Sequence, residues 1–398
     1  MNWLIVEDAL RDRKGHWFEY LGTFARELRG LGDDVTLLAD RSAEPFLIQQ
    51  LQVQPVLPAS IWHRMGDGAG AWRRYLRVPV HAWKTHRALK AHLRGDQKYD
   101  VIFVPTVLVH HLLGWVWLIK RVLKKSPARV ILFFPNTPVQ LDLKTNEPHW
   151  EPAPTARLFC RLIKSLRVDV EQGRVILGAE TQPMRAALTR LTGVPFTYFP
   201  HPVAPLPESA EEDSSAGKNE IVMAAYGGAR HEKGSDVLVA AVEEYCRRHP
   251  EARVRFVLQS VGGDGKLWDR LKGNLKARLI PDYFADGEYA RQLRETDVLV
   301  LPYRRFSYGL RVSRVVVEAM THGIPMVATH GTTLGDQANE FGAAVLCEDG
   351  DADSLVQAMV EMERNFQALK TKAKQRQASA QGHFSVREFR RRVLSQPG

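Results

Sequence analysis

The sequence predicts an α/β protein built from two doubly wound parallel-sheet domains. Three observations lead there. Short β-branched runs alternate with helical patterns twice along the chain, as strands joined by helical crossovers do. At 398 residues the chain is longer than one hydrophobic core usually serves. Between the two series stands Pro200-His201-Pro202-Val203-Ala204-Pro205-Leu206-Pro207, followed by a polar stretch, Glu208 to Lys218, that reads as a linker or exposed loop. The domains are therefore expected at 1–203 and 204–382, with a terminal helix within 383–398 completing the first.

In the first series, Trp3 to Val6, Asp34 to Leu38, Asp100 to Val104, Val130 to Phe134 and Arg174 to Leu177 read as strands. The opening run is too short for a signal peptide and is closed by Glu7 and Asp8, so it reads as a buried strand. His16 to Leu31 carries Trp17, Tyr20, Leu21, Phe24, Ala25 and Leu28 at helical spacing. The apolar stretch Val101 to Ile119 is broken by Pro105 and by His110-His111, which favours a strand and a buried helix over a membrane span. In the second series the strands are Glu220 to Ala225, Val254 to Gln259, Ala277 to Pro281, Asp297 to Pro302 and Pro325 to Thr329. Helices are expected near 234–248, 287–295, 313–322 and 352–378, then Ser385 to Leu394. No period of 20–50 residues recurs, which argues against a solenoid.

Composition narrows the class. Hydrophobic residues make up 44% and charged residues 25%, which excludes a largely disordered chain. Cys160, Cys246 and Cys347 are scattered, so neither a disulfide framework nor a cysteine zinc site is expected, and a reducing cytoplasm fits. The net charge of +10 lies wholly in residues 1–204, where 28 Lys and Arg face 18 Asp and Glu; the remainder balances at 27 against 27. Such a field favours an anionic partner for the first domain.

Two segments of the second series place special residues where a strand gives way to a helix, the usual ligand position in open α/β sheets. The first is Tyr226-Gly227-Gly228-Ala229-Arg230-His231-Glu232-Lys233-Gly234-Ser235. Paired glycines let backbone approach a ligand, and Arg230 and Lys233 add charge at a helix start suited to a diphosphate. A tight turn with solvated cations explains the same residues. The second segment runs from Pro302 through Tyr308-Gly309-Leu310 to Ser313-Arg314 and Glu318. Ser313 is a plausible N-cap, and Glu318 lies in an apolar helix where its carboxylate needs a hydroxyl or cationic partner. A ribose diol would serve, and so would a surface pair with Arg314 at i,i+4.

Glu318-Ala-Met-Thr-His-Gly-Ile-Pro-Met-Val-Ala-Thr, with Glu232-Lys233-Gly234 about 85 residues upstream, resembles the donor-binding motif of GT-B glycosyltransferases, specifically the retaining glycosyltransferase family four. Lys14-Gly15-His16 more faintly resembles that family's glycine-containing loop beside the donor phosphates. The resemblance implies two Rossmann-like domains facing a cleft and a hexosyl- or related glycosyltransferase. It implies further that Lys233, joined by Arg230, Gly15 and Gly228, contacts the donor diphosphate. Glu318 would bind ribose and Ser313-Arg314 phosphate, with Tyr308 and Gly309 in the same donor loop. His16 and Asn136 are the candidate catalytic residues, although His16 serves equally well as a helix-start residue. Neither metal nor cofactor is implied, because cations and a helix dipole stabilise the leaving diphosphate. Two departures stand out. Leu310 replaces the family's second glutamate, and Pro135-Asn136 stands where a histidine is usual. His110-His111, on an apolar stretch, reads as structural.

Residues 61–98 interleave aromatics (Trp62, Trp72, Tyr75, Trp83) with cations (Arg64, Arg73, Arg74, Arg77, Lys84, Lys90). A helix covering the sheet accounts for them, as does one lying on an anionic membrane at its inner face. The expected partners are a nucleotide-diphosphate-sugar and a carbohydrate or lipid-linked acceptor, in polysaccharide or glycolipid synthesis. A nucleotide-sugar 2-epimerase and a non-catalytic nucleotide-sugar-binding subunit are the rivals. Nucleic acid is not expected, for no recognised module appears, and Glu7 to Gly15 lacks the GxGxxG of a dinucleotide site.

Overall fold

The first strand, β1 (Asn2–Val6), is buried from its second residue onward and pairs in parallel with β2 (Asp34–Asp40). A computed structural model describes residues 1–13, 17–60, 71–94, 98–203, 220–284 and 287–396, without the side chains of 71–77. The sheet continues with β3 (Val53–Leu57), β4 (Val101–Val104) and β5 (Arg129–Phe134). After a small antiparallel pair, β6 (Val139–Leu141) and β7 (Pro148–Trp150), it adds β8 (Val175–Ala179) and β9 (Thr197–Tyr198). The order is β3-β2-β1-β4-β5-β8-β9, parallel throughout. Both faces are covered by helices, as a parallel sheet of near-continuous apolar strands requires.

The second sheet comprises β10 (Ile221–Ala225), β11 (Val254–Gln259), β12 (Ala277–Ile280), β13 (Val298–Leu301), β14 (Met326–Thr329) and β15 (Ala344–Cys347). Its order is β12-β11-β10-β13-β14-β15, again all parallel. The chain divides into two compact units, one of Met1–Asp142, Asn146–Ala204 and Ser385–Gly398, the other of Leu143–Thr145 and Pro205–Phe384. Each is a Rossmann-like layered α/β unit with its own core.

The terminal helix Val386–Leu394 belongs to the first unit. Its Phe389 ring packs at 4.8–6.3 Å from Phe199, Phe103, Phe24 and Phe133, so a helix from the chain's end closes a core begun by its first strand. Arg390 adds two hydrogen bonds to the buried Asp33 carboxylate, at 2.6 and 2.9 Å.

The sheets carry more strands than the hydrophobic runs announce. β3 contains Pro55 and survives because it lies on the sheet edge, where a missing N–H is tolerated. β9 and β15 are also edge strands. The single helix expected at 352–378 is two, Ala352–Arg364 and Phe366–His383. Asn365 between them has φ −102° and ψ 14°, outside the helical region. Among the described residues no helix is long and apolar enough to cross a membrane.

Candidate functional site

The second sheet reverses its strand order between β10 and β13, and the loops leaving the carboxyl ends of those two strands meet there. Gly227, at φ +91°, turns the chain after β10 and donates its N–H to the Gln259 side chain at 2.7 Å. The loop closes in a single 3₁₀ turn, His231–Lys233, ended by Gly234 at φ +68°. A β-carbon on Gly234 would lie 2.0 Å from the Pro302 carbonyl oxygen, so only glycine allows the two loops to approach this closely. The helix Ser235–Arg248 starts one residue past the glycine for the same reason.

This turn delivers the Lys233 amine into the junction. It lies 5.4 Å from the centre of the Tyr303 ring, which follows β13, and among the described residues no carboxylate pairs with it. Burial draws its ammonium below lysine's ordinary range, with Tyr308 opposing and Arg230 reinforcing the shift. Tyr303 and Tyr308 are both buried with ring centres 4.6 Å apart, and burial pushes the Tyr303 hydroxyl up to about 12. A buried lysine held over the Tyr303 ring, with no carboxylate in a salt bridge to it among the described residues, is a ready receptor for an anion.

The other loop leads through the turn Arg305–Tyr308 to the helix Arg314–His322. Ser313 is its N-cap residue, extended at φ −122°, and its hydroxyl makes no capping bond to the helix start. One turn in, Glu318 is buried with both carboxylate oxygens engaged. Arg314 Nε donates to Oε1 at 2.7 Å, and the Tyr289 hydroxyl donates to Oε2. The i,i+4 pair with Arg314 therefore forms, but inside the unit and not on its surface. The Tyr289 hydroxyl is held well above its ordinary range by burial and then by the Glu318 charge.

The structure thus brings Lys233, Ser313, Arg314 and Glu318 to one strand-order reversal. Arg230 borders it, mostly exposed and 3.1 Å from Glu232. Tyr308 lies beneath Arg311, whose guanidinium is 5.3 Å from its ring. Gly228 has room for a side chain, its nearest neighbour being the Val261 carbonyl at 3.7 Å, so the glycine requirement falls on Gly227 instead. Gly309 caps the short turn at φ −68°, an ordinary conformation, and Leu310 is buried beside it. In the first unit, Asn136 is half-buried in the bend after β5. Gly15 and His16 lie outside the described residues, as do Trp62, Arg64 and the side chains of Trp72, Arg73, Arg74, Tyr75 and Arg77.

Tyr289 and Gln259 join the site without any sequence signal, since each comes from another element and is an ordinary core residue in the linear pattern; Tyr303 lies within the second segment but has no mark that sets it apart there. The letters Asp349-Gly350-Asp351-Ala352-Asp353 do spell an Asp-x-Asp pattern. Its acids are occupied locally: Asp351 caps a helix by accepting the Ser354 N–H at 3.0 Å, and Asp353 pairs with Arg248 at 2.8 Å. Asp349 lies 3.9 Å from Arg304.

The sequence model of the family described as glycosyl transferases group 1 matches residues 220–365, which contain this junction. No curated protein matches. Among solved structures, Alr3699/HepE of Anabaena in complex with UDP-glucose is 14% identical, with 99% of this chain and 98% of that one covered at a TM-score of 0.64. The Escherichia coli trehalose-6-phosphate structure with UDP-2-fluoro glucose is 13% identical, with 99% and 98% covered at 0.66. Sucrose-phosphate synthase of Thermosynechococcus elongatus is 16% identical, with 99% and 97% covered at 0.63. At these identities the likeness shows the fold, the two-sheet GT-B architecture.

Proposed function

We propose that this chain of GT-B fold is a glycosyltransferase that transfers a sugar from a nucleoside-diphosphate-sugar, bound by the second unit, to an acceptor hydroxyl held by the first. The observation that carries this reading is that Lys233 and the Arg314–His322 helix with Glu318 stand on the two loops that leave β10 and β13 at the strand-order reversal of the second sheet. Lys233 and the helix N–H groups match a diphosphate, and Glu318 one turn further on matches a ribose diol. UDP-glucose in Alr3699/HepE supports this donor class.

Transfer by such a site needs no metal. As the glycosidic bond breaks, charge develops on the departing diphosphate, and Lys233, Arg230 and the helix start stabilise it. Retention follows if the acceptor enters on the face the diphosphate leaves, with the diphosphate taking the acceptor proton. Asn136 and His16 are the residues of the first unit proposed near the reacting centre.

A groove of about 730 Å³ in the first unit supports an anionic acceptor. It is lined by Arg41, Lys84 and Arg87 with the half-exposed Trp83, whose ring lies 5.6 Å from the Arg87 guanidinium. Cations around an aromatic face suit a charged saccharide or the phosphate of a lipid-linked acceptor at a membrane surface. Such acceptors belong to surface polysaccharide or glycolipid synthesis.

The test is a thermal-unfolding screen against UDP-, GDP-, ADP- and dTDP-sugars, then NMR of donor turnover with and without acceptors. Stabilisation by one donor and transfer with retained configuration is the expected result. No shift with any donor would reject the site. An epimer formed without acceptor would assign the chain to the epimerases, and binding without turnover would make it a binding subunit.

A further inference from the structure

The first sheet has its own reversal of strand order, between β1 and β4, and the carboxyl ends of those strands are where open α/β sheets place ligands. Glu7 and Asp8 follow β1 directly. Helix Val109–Arg121, after β4, brings His110 and His111, and helix Ala71–His92 brings His81. All five are interior, from 2% exposed for Glu7 to 7% for Asp8.

The geometry is that of a ligand set. Asp8 Oδ2 lies 3.1 Å from His81 Nε2 and 3.0 Å from His111 Nε2. Ligand bonds of about 2.0–2.1 Å in a tetrahedron put neighbouring donor atoms about 3.3 Å apart, close to both separations. His110 is tilted against His111 with ring centres 3.9 Å apart, and the three imidazoles offer nitrogens all within 4.8 Å of one another.

Hydrogen bonding accounts for only part of this cluster: Asp8 Oδ2 accepts from His111 Nε2 at 3.0 Å. His110 Nε2, Asp8 Oδ1 and Glu7 Oε2 are buried without a hydrogen-bond partner. Native interiors seldom leave three such atoms together unless something further joins them. Glu7 and Asp8 are adjacent and buried, and among the described residues no lysine or arginine pairs with either; Asp8 faces two imidazoles instead.

We propose that Asp8, His81, His110 and His111 bind one divalent transition-metal ion of the zinc class in the first unit. Three imidazoles and a carboxylate are a donor set zinc favours, and a dication would stabilise the buried Asp8 carboxylate. Ligation through His111 Nε2 places that ring's proton on Nδ1, toward the Thr106 backbone carbonyl that already interacts with it. The approach of the Leu108 N–H to Nδ1, at 3.3 Å the long edge of a hydrogen bond, is then given up. With four protein ligands the site is closed, so the ion ties β1 to two helices and takes no part in transfer.

The test uses the full chain without an affinity tag, treated with chelator and titrated with Co²⁺. One equivalent binding with the intense visible absorption of tetrahedral cobalt, displaced by one equivalent of Zn²⁺, is the expected result. Asp8→Asn and His110→Ala should each bind at least tenfold more weakly, and His92→Ala, whose ring pairs with Tyr99 at 2.8 Å, should bind as wild type. The wild-type titration does not depend on any variant folding. Absence of the tetrahedral band in wild type, or equal binding by Asp8→Asn and His110→Ala, would overturn the proposal.

Discussion

The Lys233 amine rests in the space that Gly227 leaves by having no side chain: a β-carbon there would lie 2.4 Å from Nζ. Gly227→Ala would therefore move the end of a flexible side chain and strain a backbone at φ +91°, at a cost of about 1–2 kcal/mol. The fold should persist while donor binding falls. A donor at a hundred times its Kd adds about 2.7 kcal/mol of stability, so its loss is readable as a vanished thermal shift. Lys233→Ala should abolish the shift as well, with less effect on the unliganded protein.

Glu318→Ala leaves Arg314 and Tyr289 facing a cavity, and we expect about 2–3 kcal/mol of destabilisation together with loss of the donor shift. Tyr289→Phe removes only the hydroxyl bond. It should retain the shift, with the donor Kd, measured by calorimetry, changing less than in Glu318→Ala. Equal losses in the two variants would mean that Glu318 serves packing and not ribose.

Gly234→Ala combines a left-handed backbone with an overlap onto the Pro302 carbonyl at 2.0 Å. Backbone cannot give way as a side-chain end can, so about 2–4 kcal/mol of stability should be lost. Denaturant unfolding at fixed pH checks this, and a change below about 0.5 kcal/mol would show that the loops separate freely.

Burial alone would raise the Asp33 carboxyl, but hydrogen bonds from Arg390 and the terminal ammonium outweigh it and hold it below the usual carboxylate range. A depressed carboxyl contributes stability above its unfolded pKa, near 3.9, and loses it as pH falls through the lower folded value. Arg390→Ala should cost about 2 kcal/mol at neutral pH and move acid unfolding to higher pH. An unchanged acid midpoint would remove Asp33 from that transition.

The parallel sheets were legible because buried strands are continuous apolar runs, and β11 falls on the residues its pattern marks, Val254–Gln259. β3 was not legible, since Pro55 argues against a strand and only its edge position permits one. Lys233 and Glu318 stood out as charges set among glycines or apolar residues. Tyr289 could not, because it reaches Glu318 from 29 residues away and carries no local mark of doing so. His110-His111 looked like helix interior in the linear pattern. Only folding brings Asp8, 103 residues from His111, into contact with it.

The terminal helix sets an order on synthesis. When the ribosome has made residues up to Phe384 the second unit has its whole sequence, while the first still lacks Phe389 and Arg390. Its rings at Phe24, Phe103, Phe133 and Phe199 stay partly uncovered until the last helix emerges, so the part begun first is finished last.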